Sequence, residues 1–207
     1  MSFELWSAFA LASIIELVAP GPILIVVTSF PLRYGYGAAF PSVVGAVLGN
    51  ALAMTASLFA IHMFILSSDR LFEILQIVGA IVLVWLGYKM WRARPVSTAG
   101  LNTPHKPMSY LGIFSSTLLI SIAAPNTLMF YTSFTPQFLN KSGNIMLQIL
   151  ILEATYIILS IIIYSAWALL SGKFSEVLRS PTALRVANRI GAFCLIVMGV
   201  IAISVQA

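Results

Sequence analysis

The sequence predicts an all-α integral membrane protein with six transmembrane helices arranged as two inverted three-helix repeats. Three observations predict it. Of 207 residues, 60% are hydrophobic and only 8% charged, against about 25% charged in a soluble domain, and the mean hydropathy is +1.00. Apolar runs of bilayer-crossing length recur along the chain, unlike the short alternating segments of a barrel. One long polar connection, 92–109, contains Pro95, Pro104 and Pro107 and reads as an exposed linker. Residues 1–207 therefore form a single membrane domain, with three-helix halves at 1–91 and 110–207.

Taken in order, span 1 covers 5–30, an apolar run interrupted by Pro20-Gly21-Pro22. Its start lacks Lys and Arg, carries Glu4 and Glu16, and is too long in its apolar part for a signal peptide, so the helix is expected to be retained. Span 2 covers 38–66, with Gly45, Gly49 and Ala53 at four-residue spacing. Small residues at that spacing let helices touch closely. They suit packing within the monomer, with a homodimer face as the alternative. Span 3 covers 72–91, span 4 covers 110–134, and span 5 covers 145–170. Span 6, at 190–205, is the shortest, with room to begin near Leu184.

Charge sets the expected orientation. Arg33, Lys89, Arg92, Arg94, Lys106, Lys173, Arg179, Arg185 and Arg189 fall on the side of loops 1–2, 3–4 and 5–6, leaving only Arg70 and Lys141 opposite. The positive-inside rule puts the linker in the cytoplasm and both termini outside. The formal charge of +5 is thus explained by membrane orientation and not by nucleic acid. Trp6, Trp85, Trp91 and Trp167 fall near span ends, where interfacial aromatics sit.

The halves share landmarks. Ala19-Pro20 precedes Thr28-Ser29-Phe30 in span 1, and Ala124-Pro125 precedes Thr132-Ser133-Phe134 in span 4. With three spans per half, the second copy is upside down. Matching interruptions in inverted repeats point to a binding site at the bilayer midplane.

The chemistry gathers at those interruptions. Pro20 and Pro22 remove two backbone donors, and Gly21 removes a side chain between them. A broken helix exposes donors at a half-helix N-terminus, which suit a carboxylate, and carbonyls that accept from an ammonium. Pro125 and Asn126 mark the equivalent place in span 4. Glu16 lies about halfway along span 1 and Glu153 about a third of the way along span 5. A carboxylate at a helix centre costs about 2.5–3.5 kcal/mol on insertion scales, so such acids usually serve a coupling ion or a counter-charge. Asn50 in span 2 stands at nearly the depth of Glu153 in span 5. The alternatives are a structural acid capped by a neighbouring Ser, Thr or Asn, and a simple proline kink. Cys194 is the sole cysteine, and His62 and His105 have no metal-ligand company, so neither cofactor nor metal is expected.

The ordered set Pro20-Gly21-Pro22, Gly45-x3-Gly49-Asn50, Trp85-Leu86-Gly87-Tyr88, Ala124-Pro125-Asn126, Pro136-Gln137-Phe138 and Asn188-Arg189-x-Gly191 resembles the LysE/RhtB family of bacterial amino-acid exporters along nearly the whole chain. The resemblance implies export of amino acids or their derivatives from the cytoplasm, driven by an ion gradient, usually protons, through six spans in the cytoplasmic membrane and without a cofactor. One departure stands out. The family commonly carries Asn-Pro-Lys in span 4, where this chain has Ala124-Pro125-Asn126. Competing expectations are a divalent-cation transporter, which would want more carboxylates, and a non-transporting partner subunit. An enzyme is not expected, because the chain offers no Ser/His dyad at depth, no His-Glu-x-x-His and no Cys pair.

Overall fold

The computed structural model describes residues 3–19, 21–67, 69–92, 108–123, 125–139, 143–171 and 180–206. Within these, the side chains of residues 62–67, 69, 71–73, 75, 125–129, 181, 183, 184, 187, 202, 203, 205 and 206 are not described. Regular structure among the described residues is entirely helical. Its helices are α1 (Phe3–Val18), α2 (Pro22–Tyr34), α3 (Ala39–Ser67), α4 (Asp69–Arg92), α5 (Tyr110–Ala123), α6 (Pro125–Phe134), α7 (Ile145–Leu169) and α8 (Pro181–Gln206).

Span 1 is broken where its prolines fall. α1 and α2 meet at 54°. The Ala19 amide turns back to the carbonyls of Ile15 and Glu16, at 3.0 and 3.1 Å, and closes α1. Gly21 is extended, and Pro22 opens α2, a position where a missing donor goes unnoticed because the first amides of a helix are unpaired anyway. α2 ends at Gly35, whose φ of +83° lies in the region that favours glycine. A 3-10 turn at Tyr36–Ala38 then leads into α3.

The other expected spans correspond to helices with shifted ends. α3 and α7 match their predicted limits within a residue or so, and α4 begins at Asp69 rather than residue 72. Span 4 becomes α5 and α6 with residue 124 between them, outside the described residues, and continues as a 3-10 turn at Thr135–Phe138. Span 6 differs most: α8 begins at Pro181. Proline initiates helices well, but the polar first turns with Arg185, Asn188 and Arg189 hide that start from a hydropathy reading. By length and apolar character, Tyr36–Ile61 and Ile145–Leu169 can each cross a membrane, and α1 with α2 makes a third crossing if counted together. Tyr110–Ala123 and Asn188–Ile201 are shorter apolar stretches.

Glycines set how closely the helices approach. A Cβ on Gly45 would lie 2.5 Å from the Phe114 carbonyl oxygen, and one on Gly49 would lie 2.5 Å from Ser121 Cβ. The small-residue stripe is therefore an internal seam between α3 and α5, which run parallel, and not a face left for a second copy. α4 and α8 run antiparallel and make the most extensive helix pairing. A Cβ on Gly87 would lie 2.8 Å from the Ala192 carbonyl oxygen, and one on Gly199 would lie 2.8 Å from that of Ala80. The core between the helices is rich in aromatics, with Phe9, Phe134, Tyr131 and Tyr156 almost fully enclosed.

The contacts also define the two ends of the bundle. Tyr110, at the start of α5, touches Gly37 in the α2–α3 turn, and Arg189 of α8 lies 5.5 Å over the Trp91 ring at the end of α4. This is called the linker end. Phe9 of α1 packs on Phe138 beyond α6 at the opposite, terminal end.

Candidate functional site

A cavity of about 330 Å³ lies against the α1–α2 break. That is the lower part of the range for small-molecule sites. One wall is the break itself, from Ala12 to Leu24; the other is the α4–α8 pair, through Leu86, Lys89, Met90, Asn188, Gly191 and Cys194; Phe130, Phe134 and Tyr164 close it from α6 and α7. α1 and α8 barely touch, and the cavity fills the gap between them. Its lining is apolar apart from Glu16, Lys89, Tyr164, Asn188 and the Cys194 thiol.

Glu16 is the carboxylate of the cavity lining. It sits in the last turn of α1, and its Oε2 accepts a 2.9 Å hydrogen bond from the Tyr156 hydroxyl of α7. The Tyr156 ring is met edge-on by Tyr131, with centroids 5.2 Å apart. The second α7 tyrosine, Tyr164, lines the cavity and accepts from Asn50 Nδ2 at 3.0 Å. Tyr156, Ser160 and Tyr164 recur every four residues on the buried stripe of α7, so one helix face supplies both phenols by its period alone.

The second half of the site is the start of α2. Gly21, Pro22, Ile23 and Leu24 all line the cavity, and no side chain caps this helix. The first amides of a helix have no partner within it, so Ile23 and Leu24 offer donors and partial positive charge beside the Glu16 carboxylate.

The predicted site residues divide accordingly. Glu16, Gly21 and Pro22 are brought together on the cavity wall. Asn50 is one step behind it, holding Tyr164, and its Oδ1 is buried without a partner. Glu153 is off the wall: it is half-buried and accepts a hydrogen bond from Thr55 of α3. Pro20 lies outside the described residues, as do the side chains of Pro125 and Asn126; Pro125 opens α6.

Sequence reasoning missed Lys89, which it sorted with the charges of the linker end, and Asn188, which entered it as part of the Asn188-Arg189-x-Gly191 motif. Lys89 lines the cavity mouth with its ammonium 5.1 Å from the Trp85 ring centroid. Asn188 is buried. An Asn followed three residues later by Gly191 on one helix face was the available signal, since a buried amide needs partners.

Apolar helices, with a break beside a carboxylate and a cavity, are the features expected of a membrane translocator. The chain belongs to the LysE family, described as LysE type translocator, whose sequence model matches residues 14–205. It is 28% identical over 191 residues to a homoserine/homoserine lactone efflux protein of Salmonella typhi, covering 91% of each chain. It is 29% identical over 171 residues to a leucine efflux protein of Enterobacter sp. strain 638, covering 82% of this chain and 79% of the relative. It is also 26% identical over 190 residues to a membrane protein of Vibrio cholerae, covering 92% of each. No solved structure matches the chain.

Proposed function

We propose that this chain exports amino acids, or similar small zwitterionic solutes, across the bacterial cytoplasmic membrane by proton antiport through a site at mid-depth. The observation that carries the reading is the pairing, on one cavity wall, of the Glu16 carboxylate with the uncapped N-terminus of α2. A zwitterion has one group for each: its ammonium meets Glu16, and its carboxylate meets the Ile23 and Leu24 amides. The remaining apolar walls suit an uncharged side chain. Relatives named for efflux of homoserine, homoserine lactone and leucine support the same class.

Coupling follows from one carboxylate having two uses. When Glu16 carries a proton it has no charge to offer an ammonium, so proton and substrate exclude one another. Exchange between them is antiport. In this reading Pro20, Gly21 and Pro22 hold the break open, and Pro125 and Asn126 mark the matching place in the second half. Asn50 positions Tyr164. Glu153, away from the cavity and bonded to Thr55, is the acid whose loss costs transport least. The chain crosses the membrane six times as two inverted halves, 1–91 and 110–207, with the linker in the cytoplasm and both termini outside.

The test is efflux from proteoliposomes against a panel of amino acids, with and without an imposed pH gradient. The expected result is gradient-driven movement of neutral amino acids by the native chain. Glu16→Gln should insert normally and lose uphill efflux. Unchanged uphill transport in that variant removes Glu16 from the mechanism.

A further inference from the structure

We infer that the structure is the state open at the linker end, and that the seam between α4 and α6 is the gate through which substrate leaves at the terminal end. The inference rests on the transport reading above and adds to it which contacts part. The two flanks of the α4–α8 pair are unequal. On one flank α8 stands off α1 and α2, and the cavity between them reaches Lys89 and Asn188 near the linker end. On the other flank α4 lies tightly on α6: a Cβ on Gly79 would sit 2.8 Å from the Ser133 carbonyl oxygen.

Two reciprocal hydrogen bonds latch that seam. Gln76 Nε2 donates to the Pro136 carbonyl at 2.9 Å, and Gln137 Nε2 donates to the Gln76 carbonyl at 2.8 Å. Behind the latch, rings close the way from the cavity to the terminal end. Phe134 stacks on Phe130 at 4.5 Å and meets Phe138 at 4.7 Å and Phe9 at 5.4 Å. All four rings are at most 5% exposed. Phe130 and Phe134 are at once cavity wall and plug, so anything in the cavity meets them before the terminal end.

The moving part follows from the packing. Gly87 and Gly199 lock α4 and α8 backbone to backbone, so the pair moves as one body. Gly191 already meets Ala19 at the break, so it serves as the pivot: swinging the pair toward α2 closes the gap beside Asn188 and draws α4 off Ser133, releasing the latch. Gln76 and Gln137 are only part-buried, so water can take over their amide hydrogen bonds as the seam parts.

The native Cys194, on the α8 wall of the cavity, reports the state directly. A membrane-impermeant maleimide should label it faster from the linker face, which is identified independently by labelling Gly100→Cys in a Cys194→Ser chain. Replacing Gln76 and Gln137 by alanine should raise labelling from the opposite face about thirtyfold, the population shift that loss of two ordinary hydrogen bonds produces. A disulfide between Gln76→Cys and Gln137→Cys, in the Cys194→Ser chain, should stop efflux, and reduction should restore it. Labelling of native Cys194 that favours the opposite face, or neither, overturns the assignment, as does full efflux with the disulfide formed. The labelling arm needs no substrate, so it decides the gate even if the native chain moves no amino acid, the result that would sink the transport reading instead.

Discussion

At the scale of single residues, Glu16 and Glu153 show how environment divides two like groups. Both are acids within apolar helices, but Glu16 faces the cavity with one phenol donor, whereas Glu153 is bonded to Thr55 away from it. A hydrogen bond to an ionised group contributes about 1.5–3 kcal/mol. Tyr156→Phe is therefore expected to lower efflux at sub-saturating substrate roughly tenfold or more, by leaving the Glu16 carboxylate unheld. Glu153→Gln, assayed alongside, should stay within a few-fold of native. Initial rates in proteoliposomes decide both, and a larger loss from Glu153→Gln than from Tyr156→Phe would reverse the assignment. The period of α7 makes the tyrosine stripe legible in the sequence. That Tyr156 rather than Ser160 meets Glu16 is not legible, because it depends on the rotation of α7 against α1.

At the scale of elements, proline and glycine are the informative residues. Pro22 opens a helix and Gly35 ends one, and both follow from backbone chemistry alone. The start of α8 at Pro181 was obscured because its polar first turns resemble a loop to any measure of hydropathy. The glycines on α3 announced a close approach without naming the partner; α5 is that partner. Gly49→Leu forces a branched side chain against Ser121 and should destabilise the chain by about 1–3 kcal/mol, the usual range for overpacking. The loss should appear as a lower unfolding temperature in detergent. Leu48→Ala, at an exposed position one residue away, is the control expected to leave that temperature unchanged.

At the scale of the whole molecule, the charge distribution and the bundle agree. Tyr110 against Gly37 and Arg189 over Trp91 gather the α2–α3 turn, the end of α4 and the starts of α5 and α8 at one end, and of the Lys and Arg among the described residues all but Arg70 lie on the helix ends gathered there. Reporters fused to the two termini should therefore both be active only outside the cytoplasm, and activity of either one in the cytoplasm would refute six crossings in this orientation. The sequence by itself determined the class, the broken first span and the acid beside it, because composition, helix period and the missing donors of proline are local properties. Tertiary structure alone decided that Glu16 and not Glu153 reaches the cavity, that Lys89 and Asn188 join it, and that α4 is latched to α6 while α8 stands off α1. Those facts depend on how helices are rotated and spaced against one another, and side chains far apart in the chain set that geometry.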